Sequence, residues 1–378
     1  MRSIILMAML FVGLPMVAIA GEEQNTTVTV STESDNRQQQ DIKLTKLPLD
    51  KGLPVVVRAG IFYQSISTFD ENAGFFNGTI DMRLRWEDPR LRYPVEQTPR
   101  GFQEYRGTDA DDKLKTIWSP GIAFTNMIDT PSYRATSLRI FPNGWVEVMQ
   151  RTTAKFSINM DAGSFPFDQQ TLAVSVEILR ENTNEASLVF LQEDLDFSSA
   201  ADDIELDGWN KGLVKINRPV RPGWYGEFHS ALIIGLQVKR QADKVMAPIF
   251  IPLIASLLIP LVALWMNSTE DGGFKVEAFE LANIIVGGLF AVIALNFTVN
   301  SAYTVIASGD NTVSRLFGLN YVTLGIVLAV VIIMYRFGTL KWLFGENVEK
   351  ETFIFLLWAL PVLAFGTAAA FIMVAAVS

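Results

Sequence analysis

After Asp243 the chain changes character, and that change limits what it can fold into. Four long apolar segments follow, at about 244–266, 276–301, 315–335 and 353–377. Each is close to the ~20 residues a helix needs to cross a bilayer. Four such runs with almost no charge do not suit the buried helices of a soluble domain. The composition agrees, with 49% of residues hydrophobic and only 19% charged, against roughly a quarter charged in a soluble chain. An even number of spans returns the C-terminus to the side of the N-terminal region. Lys275, Arg336, Lys341 and Lys350 then face the cytoplasm, and Arg315 flanks the outer loop, which is a positive-inside bias of the right sign.

The chain upstream of the spans is organised differently. Residues 1–20 read as a signal peptide, with Arg2 at its start, an apolar middle at 4–17 and Ala18-Ile19-Ala20 as the cleavage site. Residues 21–52 are polar and repetitive and read as an arm. From 53 to 243 no run is long enough to span a bilayer. Short alternating stretches instead lie at 55–66, 75–86, 145–158, 172–179, 187–191, 213–216 and 230–239, bounded by Gly, Pro, Asn and Asp. That spacing predicts an all-β, immunoglobulin-like antiparallel sandwich outside the membrane. The predicted domains are therefore 53–243 and a four-helix transmembrane bundle at 244–378.

The second span differs from the others in carrying Glu277, Glu280, Asn283 and Asn296. Such groups are costly in a membrane and face water or a partner. Glu280, Asn283, Gly287, Phe290, Ala294 and Phe297 follow steps of three and four, so they share one face of a helix. Small, polar and aromatic on one side and greasy on the rest is the pattern of a pore-lining helix. The bland alternative is a packing seam through Gly287 and Ala294. One helix encloses no pore, so the first reading also requires a symmetric oligomer.

Composition removes other classes. The net charge of −9 sets nucleic-acid binding aside. The absence of cysteine and the single histidine, His229, exclude disulfides, thiolate metal sites and cysteine nucleophiles. With no metal or nucleophile motif either, the chain does not read as an enzyme, and no cofactor is expected. Two acidic clusters stand out, Asp109, Asp111 and Asp112, and 193–203. The first offers carboxylate oxygens of the kind Ca2+ prefers, which would make Ca2+ a modulator; the competing reading is a solvated acidic surface.

Motifs between 53 and 377 resemble those of the pentameric ligand-gated ion channels, the Cys-loop receptor superfamily, in the prokaryotic form without cysteines. The stretch INMDAGSFPFDQQTL at 158–172 resembles the signature loop, with Phe165-Pro166-Phe167-Asp168 as its core and Ile158 and Leu172 in place of the paired cysteines. Leu84-Arg85-Trp86-Glu87-Asp88-Pro89-Arg90-Leu91 resembles the family's Trp-x-Asp-x-Arg-Leu segment, and Ile117-Trp118-Ser119-Pro120 its loop A, with Gly121 for the usual Asp.

The resemblance implies a homopentamer around a central pore, opened by rearrangement of the extracellular domain. Its partners would be four identical subunits, a small-molecule or proton agonist, permeating cations and the lipid membrane, with the N-terminal domain and C-terminus in the periplasm of a bacterial inner membrane. It implies Glu280 as the selectivity ring, and cation selectivity, since the Pro-Ala insertion of anion-selective relatives is absent from Glu277-Ala278-Phe279-Glu280. It implies Phe290 and Phe297 as gate rings. Arg240 holds the pre-membrane arginine position, with Asp168 and either Asp70 or Glu71 as partners, so these residues and Phe165, Pro166 and Phe167 form the expected coupling set. Agonist contacts fall at Phe124, at Leu179 where relatives carry Trp, and at Trp224, Tyr225 and Phe228 in loop C (217–228). The incomplete aromatic box leaves an acid, a small amine or a proton open as agonist. A membrane-anchored periplasmic sensor that does not conduct is the alternative; it would not need the stripe on the second span.

Overall fold

The computed structural model describes residues 44–266, 269–270, 273–274, 278–307 and 309–377. The signal-peptide reading, most of the polar arm, Lys275 and Glu277 lie outside the described residues.

Two sheets form the N-terminal half. One has the order β3 (Gln103–Arg106), β5 (Tyr133–Ile140), β6 (Trp145–Ser157), β2 (Phe75–Glu87), β1 (Val55–Asp70) and β8 (Ala186–Val189). The other runs β10 (Val220–Pro222), β11 (Phe228–Arg240), β7 (Gln169–Ile178) and β4 (Ile122–Phe124), with β9 (Trp209–Asn217) also paired to β11. All pairings are antiparallel except β1 with β8. The period-two pattern of β2 is the reason it lies as it does. Phe76, Ile80, Met82, Leu84 and Trp86 are buried in the sandwich core, and the residues between them are only partly covered.

The strands predicted from alternation are present, with ends shifted by up to four residues. Those without a strong apolar alternation, β3, β4, β5 and β10, were not predicted. Neither was the helix Thr108–Thr116, which has only Ala110 buried, nor the short helix Gln192–Phe197. The two motif tryptophans meet edge to face in the core, with centroids 6.0 Å apart and an interplanar angle of 89°. Asp88 is fully buried and accepts from Arg90 Nε at 2.8 Å and Nη2 at 2.7 Å, so the segment after Trp86 is pinned as a turn.

Tyr63 ties the sheets together. It belongs to β1, yet its hydroxyl lies 2.7 Å from the carbonyls of both Leu172 in β7 and Ile234 in β11. Burial pushes its phenol well up, so it stays protonated and keeps a donor between those carbonyls. The short helix Gln192–Phe197 is held on β1 and β2 by Asp194, which accepts from Arg58 Nε at 2.9 Å and Arg83 Nη2 at 3.0 Å. Gly60 permits the close approach, because a Cβ there would stand 3.0 Å from the Phe197 ring and 3.1 Å from the Asp194 carbonyl.

Among the described residues, four helices are long and apolar enough to cross a membrane: Ala242–Trp265, Phe279–Ala302, Thr312–Met334 and Glu346–Val377. The first contains a π-turn at Met246–Phe250, where Pro248 has no N–H to give. The fourth begins earlier than the apolar run at 353 because its first turn carries Glu346 and Glu349, which suit a helix N-terminus but mask it in hydropathy. The spans share a second buried cluster, and inside it Ser256 Oγ donates to Asn320 Oδ1 at 3.0 Å.

Two outcomes follow from these contacts. Tyr63→Phe removes the donor between the sheets and is expected to cost about 1–3 kcal/mol, read as a lower melting temperature of the purified protein; an unchanged melt would refute the tie. Burial alone would raise the Asp194 pKa, but Arg58, the Leu191 backbone and Arg83 together bring it below the ordinary value. Its contribution is thus complete above the unfolded pKa and is lost as pH falls below about 4. Hydrogen-exchange protection at 192–198, taken relative to the intrinsic rate at each pH, should fall below about pH 4, and Asp194→Asn should show the reduced protection already at pH 7. Equal exchange in both proteins at pH 7 counts against the contact.

Candidate functional site

The second span, within the helix Ala278–Ala302, buries one face against its own chain: Leu281, Ile285, Gly288, Val292 and Val299. Gly288 makes the close approach, where a Cβ would meet Ile259 at 3.1 Å and Leu324 at 3.4 Å. Gly287 has open space around it instead. The small residue in the intrachain seam is therefore Gly288. Glu280, Asn283, Gly287, Phe290, Ala294 and Phe297 all lie exposed on the other side, with Phe290 67% and Phe297 75% accessible. Asn296, off that stripe, donates to the Tyr321 hydroxyl at 3.1 Å and accepts from Asn300 at 2.6 Å, which accounts for its amide inside the bundle.

A second constellation lies where the β-domain meets the spans. Arg240 ends β11, two residues before the first span. Its Nε donates to Asp168 Oδ1 at 2.6 Å, Nη2 to Asp168 Oδ2 at 3.1 Å, and Nη1 pairs with Glu71 Oε2 at 2.8 Å. Its guanidinium carbon sits 4.2 Å from the Trp209 ring centroid and 4.9 Å from that of Phe165. The arginine is 6% exposed and Asp168 2%. Burial alone would lower the Arg240 pKa; the bond to Asp168 and then the charge of Glu71 more than offset it, so the group is held firmly charged. Of the two acids at the β1–β2 turn, Glu71 is the one on Arg240, and it also accepts from Trp209 Nε1 at 2.8 Å. Asp70 turns back to cap its own loop, accepting from the Ala73 N–H at 2.9 Å.

The loop at 158–172 links this cluster to the spans. Phe165 is fully buried within the cluster of the spans, and its ring centroid lies 6.0 Å from that of Tyr303. Pro166 is buried beside it, and Phe167 is half-buried. Leu172 is in the sandwich core and Ile158 is packed against it. A polar clamp adds to this apolar closure. Gln170 Oε1 accepts from the Asp161 N–H at 3.0 Å, while its Nε2 donates to the Asp161 carbonyl at 2.6 Å and to Asp168 Oδ2 at 2.7 Å. Sequence reasoning missed Gln170, although it stood inside the quoted loop. It also missed Asn72, whose Oδ1 accepts from Thr304 N at 2.9 Å and Thr304 Oγ1 at 3.0 Å. Its signal was its place in the same turn as Glu71.

The aromatic candidates do not form one box within the chain. Trp224 and Tyr225 stand at the tip of the β10–β11 hairpin, 85% and 99% exposed, and Phe228 is exposed at its base. Tyr225 adopts a left-handed φ of 57°. Phe124 packs on the sandwich core, with its ring 5.9 Å from Phe156. Leu179 is exposed and its N–H donates to the Gly121 carbonyl at 3.0 Å. A set that no motif announced roots the hairpin. Glu181 Oε1 accepts from Trp118 Nε1 at 3.0 Å and Arg180 Nε at 2.7 Å, and the Glu181 carbonyl lies 3.0 Å from His229 Nδ1. Asp109, Asp111 and Asp112 ride the helix Thr108–Thr116, where Asp112 pairs with Lys115 at 2.8 Å. Among the described residues, no three His, Asp or Glu side chains are grouped to hold a metal ion.

Comparison with known proteins gives this geometry its context. The family model for the neurotransmitter-gated ion-channel ligand binding domain matches residues 39–242. A proton-gated ion channel of Gloeobacter violaceus is 24% identical over 249 residues, covering 66% of this chain and 64% of the relative. The glycine receptor subunit beta of Homo sapiens is 23% identical over 237 residues, covering 58% of this chain and 44% of the receptor subunit. The matched stretch thus spans less than two thirds of these relatives' own length. The model match runs from ahead of β1 to the start of the first span, taking in both sheets, the 158–172 loop and Arg240. The chain therefore belongs to the neurotransmitter-gated ion-channel family, the Cys-loop superfamily of pentameric ligand-gated channels, whose members are not enzymes, and it does so without a single cysteine.

Proposed function

We propose that the chain is one of five identical subunits of a cation-selective channel in a bacterial inner membrane, opened by a small ligand or by protons. The observation that carries this reading is the second span. Leu281, Ile285, Val292 and Val299 pack inside the subunit, the stripe Glu280, Asn283, Gly287, Phe290, Ala294 and Phe297 is left uncovered, and Ile284, Val286, Leu289 and Ile293 beside it are exposed apolar flanks that neighbouring subunits would cover. Five copies around an axis give a carboxylate ring at one mouth, an amide ring next to it and two phenyl constrictions further along. A carboxylate ring concentrates cations, and phenyl rings close a narrow pore by dewetting it.

Gating in this reading passes through Arg240. The guanidinium binds the β1–β2 turn through Glu71 and the 158–172 loop through Asp168, and the same two segments touch the spans through Asn72 and Phe165. A displacement of either sheet is then felt at the connection between the second and third spans. The hairpin tip with Trp224, Tyr225 and Phe228, together with Phe124 and Leu179, is where a small ligand would act between subunits. The Gloeobacter relative is a proton-gated ion channel, which supports testing protons first. Ca2+ at Asp109, Asp111 and Asp112 would need ligands from a neighbouring subunit.

Planar-bilayer recordings of purified protein, across pH and a panel of amines and acids, test the reading directly; the absence of any current under all conditions would refute it. Glu280→Lys is expected to move the reversal potential in a salt gradient toward that of the anion, and an unchanged potential refutes the selectivity ring. Phe290→Ser should raise the unstimulated current, and no change at either Phe290→Ser or Phe297→Ala removes the gate from these positions. Arg240→Lys keeps the charge but loses the two-pronged grip on Asp168. A loss of about 1.4 kcal/mol there corresponds to roughly tenfold more stimulus for half-maximal current. A wild-type dose response would take Arg240 out of the pathway.

A further inference from the structure

The segment joining the third and fourth spans is unlike an ordinary surface turn. It leaves the third span through Arg336 and Phe337, forms the helix Thr339–Phe344, and enters the fourth span at Glu346. None of the six helix residues is buried. Phe337 is 70% exposed, Trp342 82%, Leu343 58% and Phe344 65%, so bulky apolar surface stands uncovered at one end of the bundle. Only Leu340 turns back onto the cluster of the spans. The helix is bracketed by Gly338 and Gly345, with φ of 53° and 90°. A Cβ at either glycine would meet nothing within 4 Å, so backbone angle and not space is what calls for glycine there. Those two left-handed corners set the helix direction apart from both spans.

We propose that Thr339–Phe344 lies in the headgroup layer of the bilayer, as an interfacial anchor for the third and fourth spans. The occupant of its apolar surface is the lipid interface, and the reading rests on those two helices crossing the membrane. Three observations carry it. Both ends of the helix are fused to a span within a few residues, so it stays at the membrane surface whatever its orientation. Its exposed residues are Trp, Leu and Phe, the amphipathic and apolar types that settle at headgroup depth. Lys341 and Lys350 both pair with Glu346, at 3.4 Å and 3.2 Å, and Arg336, Lys341 and Lys350 are matched in number by Glu346, Glu349 and Glu351, so the local charge is balanced. The anchoring is therefore aromatic, and it works on zwitterionic as well as anionic lipid.

The chain has no native cysteine, so single cysteines can be spin-labelled in the full-length protein without background. Trp342→Cys, Leu343→Cys and Phe344→Cys would be labelled in liposomes of zwitterionic phospholipid. Their accessibility to oxygen, which partitions into lipid, would be compared with that to a water-soluble nickel chelate. Val362→Cys in the fourth span, where Val362 is 71% exposed, serves as the lipid control, and Leu213→Cys in β9, where Leu213 is 80% exposed, as the aqueous one. The expected result is an oxygen-to-nickel ratio at 342–344 between the two controls and at least twofold above that of Leu213→Cys. A ratio equal to Leu213→Cys overturns the anchor while leaving the spans intact. Labels shielded from both reagents assign this surface to a neighbouring subunit and overturn it as well. Nickel access at Val362→Cys overturns the spans, and the anchor with them. Anionic lipid in a parallel sample is expected to leave the ratios unchanged; a rise confined to anionic vesicles refutes the aromatic basis.

Discussion

A buried cation with two carboxylates organises this chain. Arg240 has almost no access to water, and an unpaired charge there would be prohibitively costly. Asp168 and Glu71 must therefore be brought to it, and each comes from a different sheet connection. Asp168 fixes the end of the 158–172 loop at the start of β7. Glu71 fixes the β1–β2 turn. Trp209 closes the remaining side, giving its ring to the guanidinium and its N–H to Glu71. The two sheets and the entry to the first span are thereby held by one group. Such a cluster is poor as a source of net stability and good at fixing relative position, because any separation exposes an uncompensated charge to low dielectric.

The contacts around that cluster are of two kinds. Phe165 among the spans is a dispersion and burial contact, insensitive to small rotations. Asn72 on Thr304 is directional, with both the backbone and the hydroxyl of Thr304 donating to one amide oxygen. The first keeps the β-domain seated on the bundle, and the second reports the angle of the turn. The 25-residue helix Ala278–Ala302 ends at that point, so whatever rotates the turn acts on the end of that helix.

Much of this was legible in the sequence, and the reasons are specific. The four spans were visible because hydrophobicity over ~20 residues has no competing explanation. β2 was visible because its alternation is unbroken from Phe76 to Trp86. β3 and β10 were not, since their residues are partly or fully exposed and have no apolar face to read. For the site, Arg240, Asp168 and Phe165 came from motif resemblance, while the choice between Asp70 and Glu71 could not. Both are acids in one turn, and only the backbone path decides which side chain points at Arg240. Gln170, Asn72 and Glu181 were illegible for a related reason. Polar residues are common at loop ends, and their meaning lies in partners far away in sequence.

The 158–172 loop is closed by the amide of Gln170 and by packing at Ile158 and Leu172, the positions that resemble those of a covalent bridge. Hydrogen bonds and apolar contacts have no sulfur for a thiolate to attack. The loop that seats the outer domain on the membrane domain is thus indifferent to the thiol–disulfide poise of its surroundings.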